Sequence, residues 1–528
     1  MSKLSAIDIV IVMLYLAAMM VVGIYFSRKR RTSDQFTKAS GKIPAWAIGL
    51  SIYATFLSSN TFIGVPGKAF GGNWNAFVFS LSLPLAGWVA TKYFVPFYRK
   101  VGGVSAYSHL EHRFGAWART YAVVCFLLTQ LARMGSIFFG IALALQALTG
   151  FSMASIMLVT GICIVFYTVL GGIEAVIWTE VVQAIVKTAG AIVIIMLVIS
   201  DISGGFSSVI KIGLRDSKFN LGGFDPDFTQ STFWVVLLYG FFMNLNNFGM
   251  DQNYVQRYHT AGSTREASTS VWMSVWMYVP ISFIFFLIGT CLYAYYQINP
   301  DAIHMVRMQV ASEKLGNHAT ALQVTKLAFA LKPADLGDKI IPHFIVTKIP
   351  SGLMGIIIAA ILSAAMSTIS SGMNASATVF TIDIYKRYFN HKLTDKTQLK
   401  ILYISTVCFG LAGMSVGISM IGVKSLLDTW WQLSGVFAGG VLGLFLLGMI
   451  SRSAGNFAAI TATCIGILVI LWITLSPMLP QNSVIPVSAL HTNMAVIIGT
   501  LTIFLVGILL SSFQKSKIKN TAQAVSDI

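Results

Sequence analysis

Apolar residues dominate this chain in continuous runs, not in alternation. Runs of about 20 residues recur at approximately 6–26, 45–65, 76–97, 121–148, 154–172, 177–200, 232–250, 272–296, 351–380, 400–422, 425–449, 455–477 and 490–512. Each is long enough to cross a bilayer as a helix. Strands of a membrane barrel would show alternating polarity over shorter segments, which these runs lack. The gaps between them hold Gly, Pro, Ser or charged residues, as turns between packed helices do. The pattern predicts an all-α polytopic membrane protein with about thirteen transmembrane helices.

Composition agrees. Of 528 residues, 56% are hydrophobic and 10% charged, where a soluble domain carries about 25% charged residues. The net charge of +17 does not call for nucleic acid, because the Lys and Arg cluster between spans. "SRKRRTSDQ" (with Arg28, Lys29, Arg30 and Arg31), "FYRKVGG", "EHRFGAWART", "QRYHTAGSTRE", "YKRYFNHKLTDKTQLK", "SRSAGN" and the tail "QKSKIKN" fall on one side of a thirteen-span chain. The positive-inside rule makes that side cytoplasmic, with the N-terminus outside and the C-terminus inside. The loops at 201–231 and 297–350 are then external, the second with short helical pieces. The first span lacks a basic n-region and a small-residue cleavage site, so it is expected to be retained. All five Cys (Cys125, Cys163, Cys291, Cys408, Cys464) lie in apolar runs, which suits small buried hydrophobes and not a disulfide framework. No GxxxxGK[ST] loop, HExxH motif or Cys/His cluster occurs in the sequence. An ATP motor and a metal enzyme are therefore not expected, and uphill movement would draw on an ion gradient.

Polar residues inside the spans are the informative exceptions. In "SAAMSTISSGMN" (363–374), Ala364, Ser367, Thr368 and Ser371 share one helix face and Ser370 lies beside it. Such hydroxyls often serve helix packing; clustered in mid-span, they also form hard, neutral ligands suited to Na+. In "SIYATFLSSNTFIGVPGKAFGG" (51–72), Ser58, Ser59, Asn60, Thr61, Gly64, Pro66 and Gly67 interrupt a span. Either the helix kinks for packing, or it frees carbonyls for a cation. In "FFMNLNNFGMDQN" (241–253), Asn244, Asn246 and Asn247 sit near Gly249. Two interrupted helices at matching places in two five-helix halves mark an inverted-repeat transporter. Arg133, in "LLTQLARMGSIFFG", has no acid beside it in sequence. It either pairs with a distant acid or receives an anionic solute. In "GGIEAVIWTEVVQ", Glu174 reads as a loop carboxylate, and Glu180 as a helix-start acid or an inward cation ligand.

"SSNTFIGVPGKAF", "LARMGS", "YTVLGGIEAVIWTEVVQ", "VQRY", "AAMSTISSGMN" and "DIY" occur in this order along nearly the whole chain. Together they resemble the sodium:solute symporters, and among these the bacterial sialic acid transporter branch. The resemblance implies one transmembrane domain over 1–528 with a LeuT-type 5+5 inverted repeat. An extra helix at 6–26 would precede a first repeat at 45–200, a second at 232–449 and C-terminal helices at 455–512. It implies a first Na+ site at the carbonyls of Ala54, Leu57 and Ala364 with the hydroxyls of Ser367 and Thr368. A second Na+ site would use Glu180, Ser370 and Ser371, with Glu where a branch member has Asp. It places the solute, a sugar acid or sugar, against Ser58, Thr61, Ser80, Arg133, Phe242 and Asn246. Phe56, Ala76 and Ser80 depart from the branch pattern. The implied protein is a Na+-coupled importer of sialic acid in a bacterial inner membrane, surrounded by lipid and monomeric, with no enzymatic activity.

Overall fold

The computed structural model describes residues 4–27, 32–39, 41–316, 319–423, 426–479 and 486–526. The basic cluster Arg28–Arg31 lies outside the described residues. Regular structure among them is helical, with an isolated bridge between Ile43 and Ala261. Length and apolarity mark nine helices among the described residues as able to cross a membrane, or up to ten when one bent pair counts as a single span. Two shorter apolar helices, Met153–Val169 and Phe437–Ile450, accompany them. The chain is a multi-pass membrane protein; the expected count of about thirteen is not fixed by this criterion.

The helices used below are α1 (Ala6–Ser27), α2 (Ala45–Phe56), α3 (Ser59–Gly71), α4 (Ala116–Thr149), α5 (Met153–Ser200), α6 (Phe233–Met250), α7 (Gln252–Thr260), α8 (Thr264–Ile298) and α9 (Leu353–Val379). Burial separates the core from the periphery. Only 17% of the α1 window is buried, against 89% for the span at Leu353–Phe389. Ile7, Val10, Met13, Leu14 and Val21 of α1 face outward, as lipid-facing residues do. Helix α9 is the central post, packed against α5, α4 and α1.

The chain breaks where polar residues compete with the helix. Helices α2 and α3 meet at an angle of 55°. Leu57 is extended between them (φ −92°, ψ 96°). Pro66 and Gly67, expected to share in this break, instead lie buried inside α3. Gly67 is there for close packing: a Cβ on it would come 2.8 Å from the carbonyl carbon of Gly337. The second break falls at Asp251, which accepts from the Asn253 N–H at 2.8 Å and so starts α7. The expected spans 154–172 and 177–200 are two helices, Met153–Val169 and Gly171–Ser200, labelled together as α5, that meet at a kink at Gly172. Its φ of 56° lies in the left-handed region that favours glycine. The long segment after α8 folds into Pro300–Leu315, Ala321–Ala330 and Pro333–Lys348, the short helices anticipated there.

Candidate ion and solute site

Hydrogen-bond accounting explains why carbonyls are free at the first break. A continuous helix would satisfy the Ala54 and Leu57 carbonyls with the N–H groups of Ser58 and Thr61. Here the Ser58 N–H donates to Thr61 Oγ1 at 3.3 Å, and the Thr61 N–H to the Ser58 carbonyl at 3.0 Å. The two stranded carbonyls face α9. Ser367 Oγ donates at 3.2 Å to the Ala54 carbonyl and lies 3.2 Å from the Ala364 carbonyl. Thr368 Oγ1 lies 3.3 Å from the Ala364 carbonyl and 3.4 Å from that of Thr55. Thus Ala54, Leu57, Ala364, Ser367 and Thr368 converge at one junction.

A residue that sequence reasoning missed stands at its centre. Lys187 of α5 is fully buried. Its Nζ donates to the Ala54 carbonyl at 2.7 Å, the Leu57 carbonyl at 2.9 Å and Ser367 Oγ at 2.8 Å. An ammonium has three N–H donors, and each finds an oxygen. The signal was present in the sequence. Lys187 is a mid-span charge, and the cost of placing charge in a bilayer singles it out as it did Arg133.

One turn along α9, a second cation is enclosed. Arg257 of α7 donates from NH2 to Glu180 Oε2 at 2.7 Å and to Ser371 Oγ at 2.6 Å, and from Nε to Ser51 Oγ at 2.7 Å. Ser371 and Ser51 each also donate to the Glu180 carboxylate. Arg257 and Glu180 are 1% and 0% exposed, so this is a closed ion pair with hydroxyls at its edge. The structure does not bring Ser370 into this group. Its Oγ donates back to the Ser367 carbonyl at 3.1 Å.

The solute candidates divide between two cavities. One, with about 820 Å³ of space not filled by atoms, is lined by Ser58, Thr61, Ser80 and Arg133 together with Asn60 and Tyr278. The other, about 430 Å³, is lined by Asn246, Gln130 and Asp251 and again by Arg133. Phe242 lines neither; it packs with Val235, Tyr239 and Met243. Arg133 therefore lies between the cavities. Its NH2 donates to the Thr55 carbonyl at 2.9 Å, and its NH1 lies 3.4 Å from Asp251 Oδ2. The acid absent from its sequence neighbourhood comes from the second break. Asn60 Oδ1 and Asn246 Oδ1 are buried without a hydrogen-bond partner. A polyhydroxylated solute would supply the donors they lack. Ser80 Oγ sits 2.7 Å from Ser282 Oγ.

At the other end of α3, Lys218 in the 201–231 loop repeats the motif of a lysine on stranded carbonyls. Its Nζ donates to the Phe70 carbonyl at 2.7 Å and to that of Gly72 at 2.8 Å, and lies 3.7 Å from the centre of the Tyr293 ring. Burial pushes this amine down to about 8.

A model of the sodium:solute symporter family matches residues 36–466. The sodium/sialic acid symporter NanT of Aliivibrio fischeri is 31% identical over 516 residues, covering 96% of this chain and 93% of that protein. The sodium/sialic acid symporter SiaT of Proteus mirabilis is 31% identical over 462 residues, covering 87% of each. Among solved structures, the substrate-bound outward-open state of a Na+-coupled sialic acid symporter matches with a TM-score of 0.82 at 28% identity. That match covers 96% of this chain and 98% of the other. The fold is the all-α, LeuT-type one.

Proposed function

Because the chain belongs to the sodium:solute symporter family, a family of transporters and not of enzymes, we propose that it imports a sugar acid by Na+-coupled symport. N-acetylneuraminate is the first candidate, as the names of the similar symporters suggest. The observation that carries this reading is Arg133, placed between two polar cavities with the unpartnered amide oxygens of Asn60 and Asn246 nearby. A guanidinium there can take a carboxylate in a bidentate grip. Ser58, Thr61 and Ser80 would meet the sugar hydroxyls. Na+ as the coupling ion is supported by the same relatives. It is supported too by hard, neutral oxygens at Ala54, Leu57, Ala364, Ser367 and Thr368.

In this reading the protein lies in a bacterial inner membrane as a monomer in lipid, N-terminus outside and C-terminus in the cytoplasm. The two five-helix repeats at 45–200 and 232–449 rock about the breaks at Leu57 and Asp251. Cation and solute each raise the other's affinity by the same factor, as linkage requires.

Uptake of radiolabelled N-acetylneuraminate into proteoliposomes under cation gradients is the test. Saturable, gradient-driven uptake supports the reading, and no uptake of any sugar acid removes the substrate. A second reading, a neutral sugar, is favoured by Asp251, whose carboxylate lies 3.4 Å from Arg133 and offsets its charge. Glucose or galactose competing as well as the acid would select it.

A further inference from the structure

Arg133 divides the polar interior along two helices at once. On α4 the larger cavity reaches from Arg133 to Ile137, and the smaller one from Arg133 back to Gln130 and Phe126. On α6 the larger begins at Tyr239, and the smaller ends at Asp251, just past the last residue of the helix. Helix α4 starts in the basic segment "EHRFGAWART", and α6 follows the 201–231 loop. In the proposed orientation the two helices therefore run in opposite senses. Each puts the larger cavity on the outer side of Arg133 and the smaller one on its cytoplasmic side. We propose that the smaller cavity is the station through which the solute leaves, and that Asp251 is the positioning residue that takes the Arg133 guanidinium away from the solute's carboxylate there.

Asp251 has one oxygen held and one offered. Its Oδ1 accepts from the Asn253 N–H at 2.8 Å and from Asn253 Nδ2 at 2.7 Å. Its Oδ2 has Arg133 NH1 and Gln130 Nε2 near it, each at 3.4 Å. A formed bond between a guanidinium and a carboxylate is about 2.7–2.9 Å long, so this pair stands roughly 0.5 Å open. Arg133 NH2 is meanwhile bonded to the Thr55 carbonyl at 2.9 Å. The guanidinium is thus anchored at the first break and faces the carboxylate of the second. A small approach of the second break to α4 closes the pair.

One guanidinium compensates one carboxylate. With the solute's acid on Arg133, Asp251 keeps Asn253 and Gln130 as partners. With Asp251 closed onto Arg133, the acid faces a like charge that nothing offsets, and it leaves. An arginine alone would grip an acid in every state of the cycle. The carboxylate beside it makes that grip reversible.

The smaller cavity is fitted to receive what Arg133 releases. Gln130 Oε1 and Asn246 Oδ1 on its walls are buried without a hydrogen-bond partner, and sugar hydroxyls supply the donors. Tyr107, which lines the same cavity, donates from its hydroxyl to the Met250 carbonyl at 2.7 Å. Tyr107 and Asp251 are therefore tied to the same broken end of α6, and a shift at the break reaches both. The proposal rests on the symporter reading with an acidic solute.

The test compares the wild type with Asp251→Asn, which removes the charge but keeps the oxygen that accepts from Asn253. Binding of N-acetylneuraminate to the purified full chain in Na+ is measured by calorimetry. The KM and kcat of its uptake are measured in proteoliposomes under an inward Na+ gradient. Asp251→Asn should bind the acid about tenfold more tightly, because a competing like charge is gone. The KM and kcat of uptake should both fall about tenfold, since the acid is held and not released. A merely structural role for Asp251 gives the opposite pattern, weaker binding and a raised KM. Unchanged or weaker binding, or a kcat that falls without KM, overturns the proposal. If Asp251→Asn fails to fold, Asp251→Ser, which also keeps an oxygen at the start of α7, carries the comparison. Binding by neither protein removes the substrate reading and this proposal with it. Binding by the wild type with no gain in the variant overturns this proposal alone.

Discussion

Two cation positions lie one turn apart on the hydroxyl face of α9, and they are built on opposite principles. At Ser367 the cation is a lysine among neutral oxygens. At Ser371 it is an arginine closed onto a carboxylate. The first position holds a charge whose hydrogen-bond partners are all neutral. The second holds a compensated pair whose guanidinium stays charged at any ordinary pH. A site meant to empty and refill needs weak, neutral ligands, and a site meant to hold helices together tolerates a buried ion pair. In the proposed reading, coupling belongs to the Ser367 end and cohesion to the Ser371 end.

The largest effect expected is at the cohesive end. Glu180→Ala should destabilise the fold by about 3–5 kcal/mol, because it leaves Arg257 buried and unpaired. The double variant Glu180→Met with Arg257→Met should recover much of that loss, since a well-packed apolar pair often replaces a buried ion pair. Thermal unfolding in detergent reads both. A mild Glu180→Ala would erase the contrast.

Next comes the solute end. Arg133→Ala should lower sugar-acid affinity by roughly 10²-fold or more, the size of a lost charge-assisted contact (about 3 kcal/mol). Its binding of 22Na+ should stay at the wild-type level. Loss of both together would mean that Arg133 serves the junction and not the solute.

Within α9 the comparison sharpens further. Ser367→Ala removes one of three acceptors of Lys187 and should cost about 1–3 kcal/mol and weaken Na+-dependent uptake. Ser370→Ala, three residues on, removes only a bond to the helix's own Ser367 carbonyl and should cost less than about 1 kcal/mol with no change in coupling. Equal effects would dissolve the distinction between them.

Lys218 gives the smallest effect and a control. It too rests on stranded carbonyls, but it is buried in a loop and bonded to the end of α3 instead of α9. Burial lowers its amine from 10.5 to about 8. Between those values the unfolded chain binds more protons than the folded one, so stability should rise with pH across that window and level off below about 8, where both states are protonated. Lys218→Met should flatten that rise and leave uptake unchanged. A change in cation coupling would show that any lysine on broken-helix carbonyls acts in this way.

The sequence carried the scaffold of this site more fully than its occupants. The break at Leu57 was legible because Ser58, Asn60 and Thr61 offer the backbone local partners in place of the helix. The α9 hydroxyl face was legible because its spacing is helical. Pro66 misled, since a proline inside a packed helix can be tolerated when its neighbours supply the fit. Lys187, Arg257 and Asp251 escaped assignment for a different reason. Lys187 and Ser367 are 180 residues apart, and Arg133 and Asp251 are 118; periodicity along one helix cannot report what another helix inserts into it. Ser370 was placed with Ser371 by the family resemblance, yet adjacent residues on a helix point about 100° apart.

The most direct measurement is uptake of radiolabelled N-acetylneuraminate into proteoliposomes with and without an inward Na+ gradient, for the wild type and Ser367→Ala. The gradient should drive uptake by the wild type and much less by Ser367→Ala. Uptake by the wild type that is indifferent to the Na+ gradient would contradict the account.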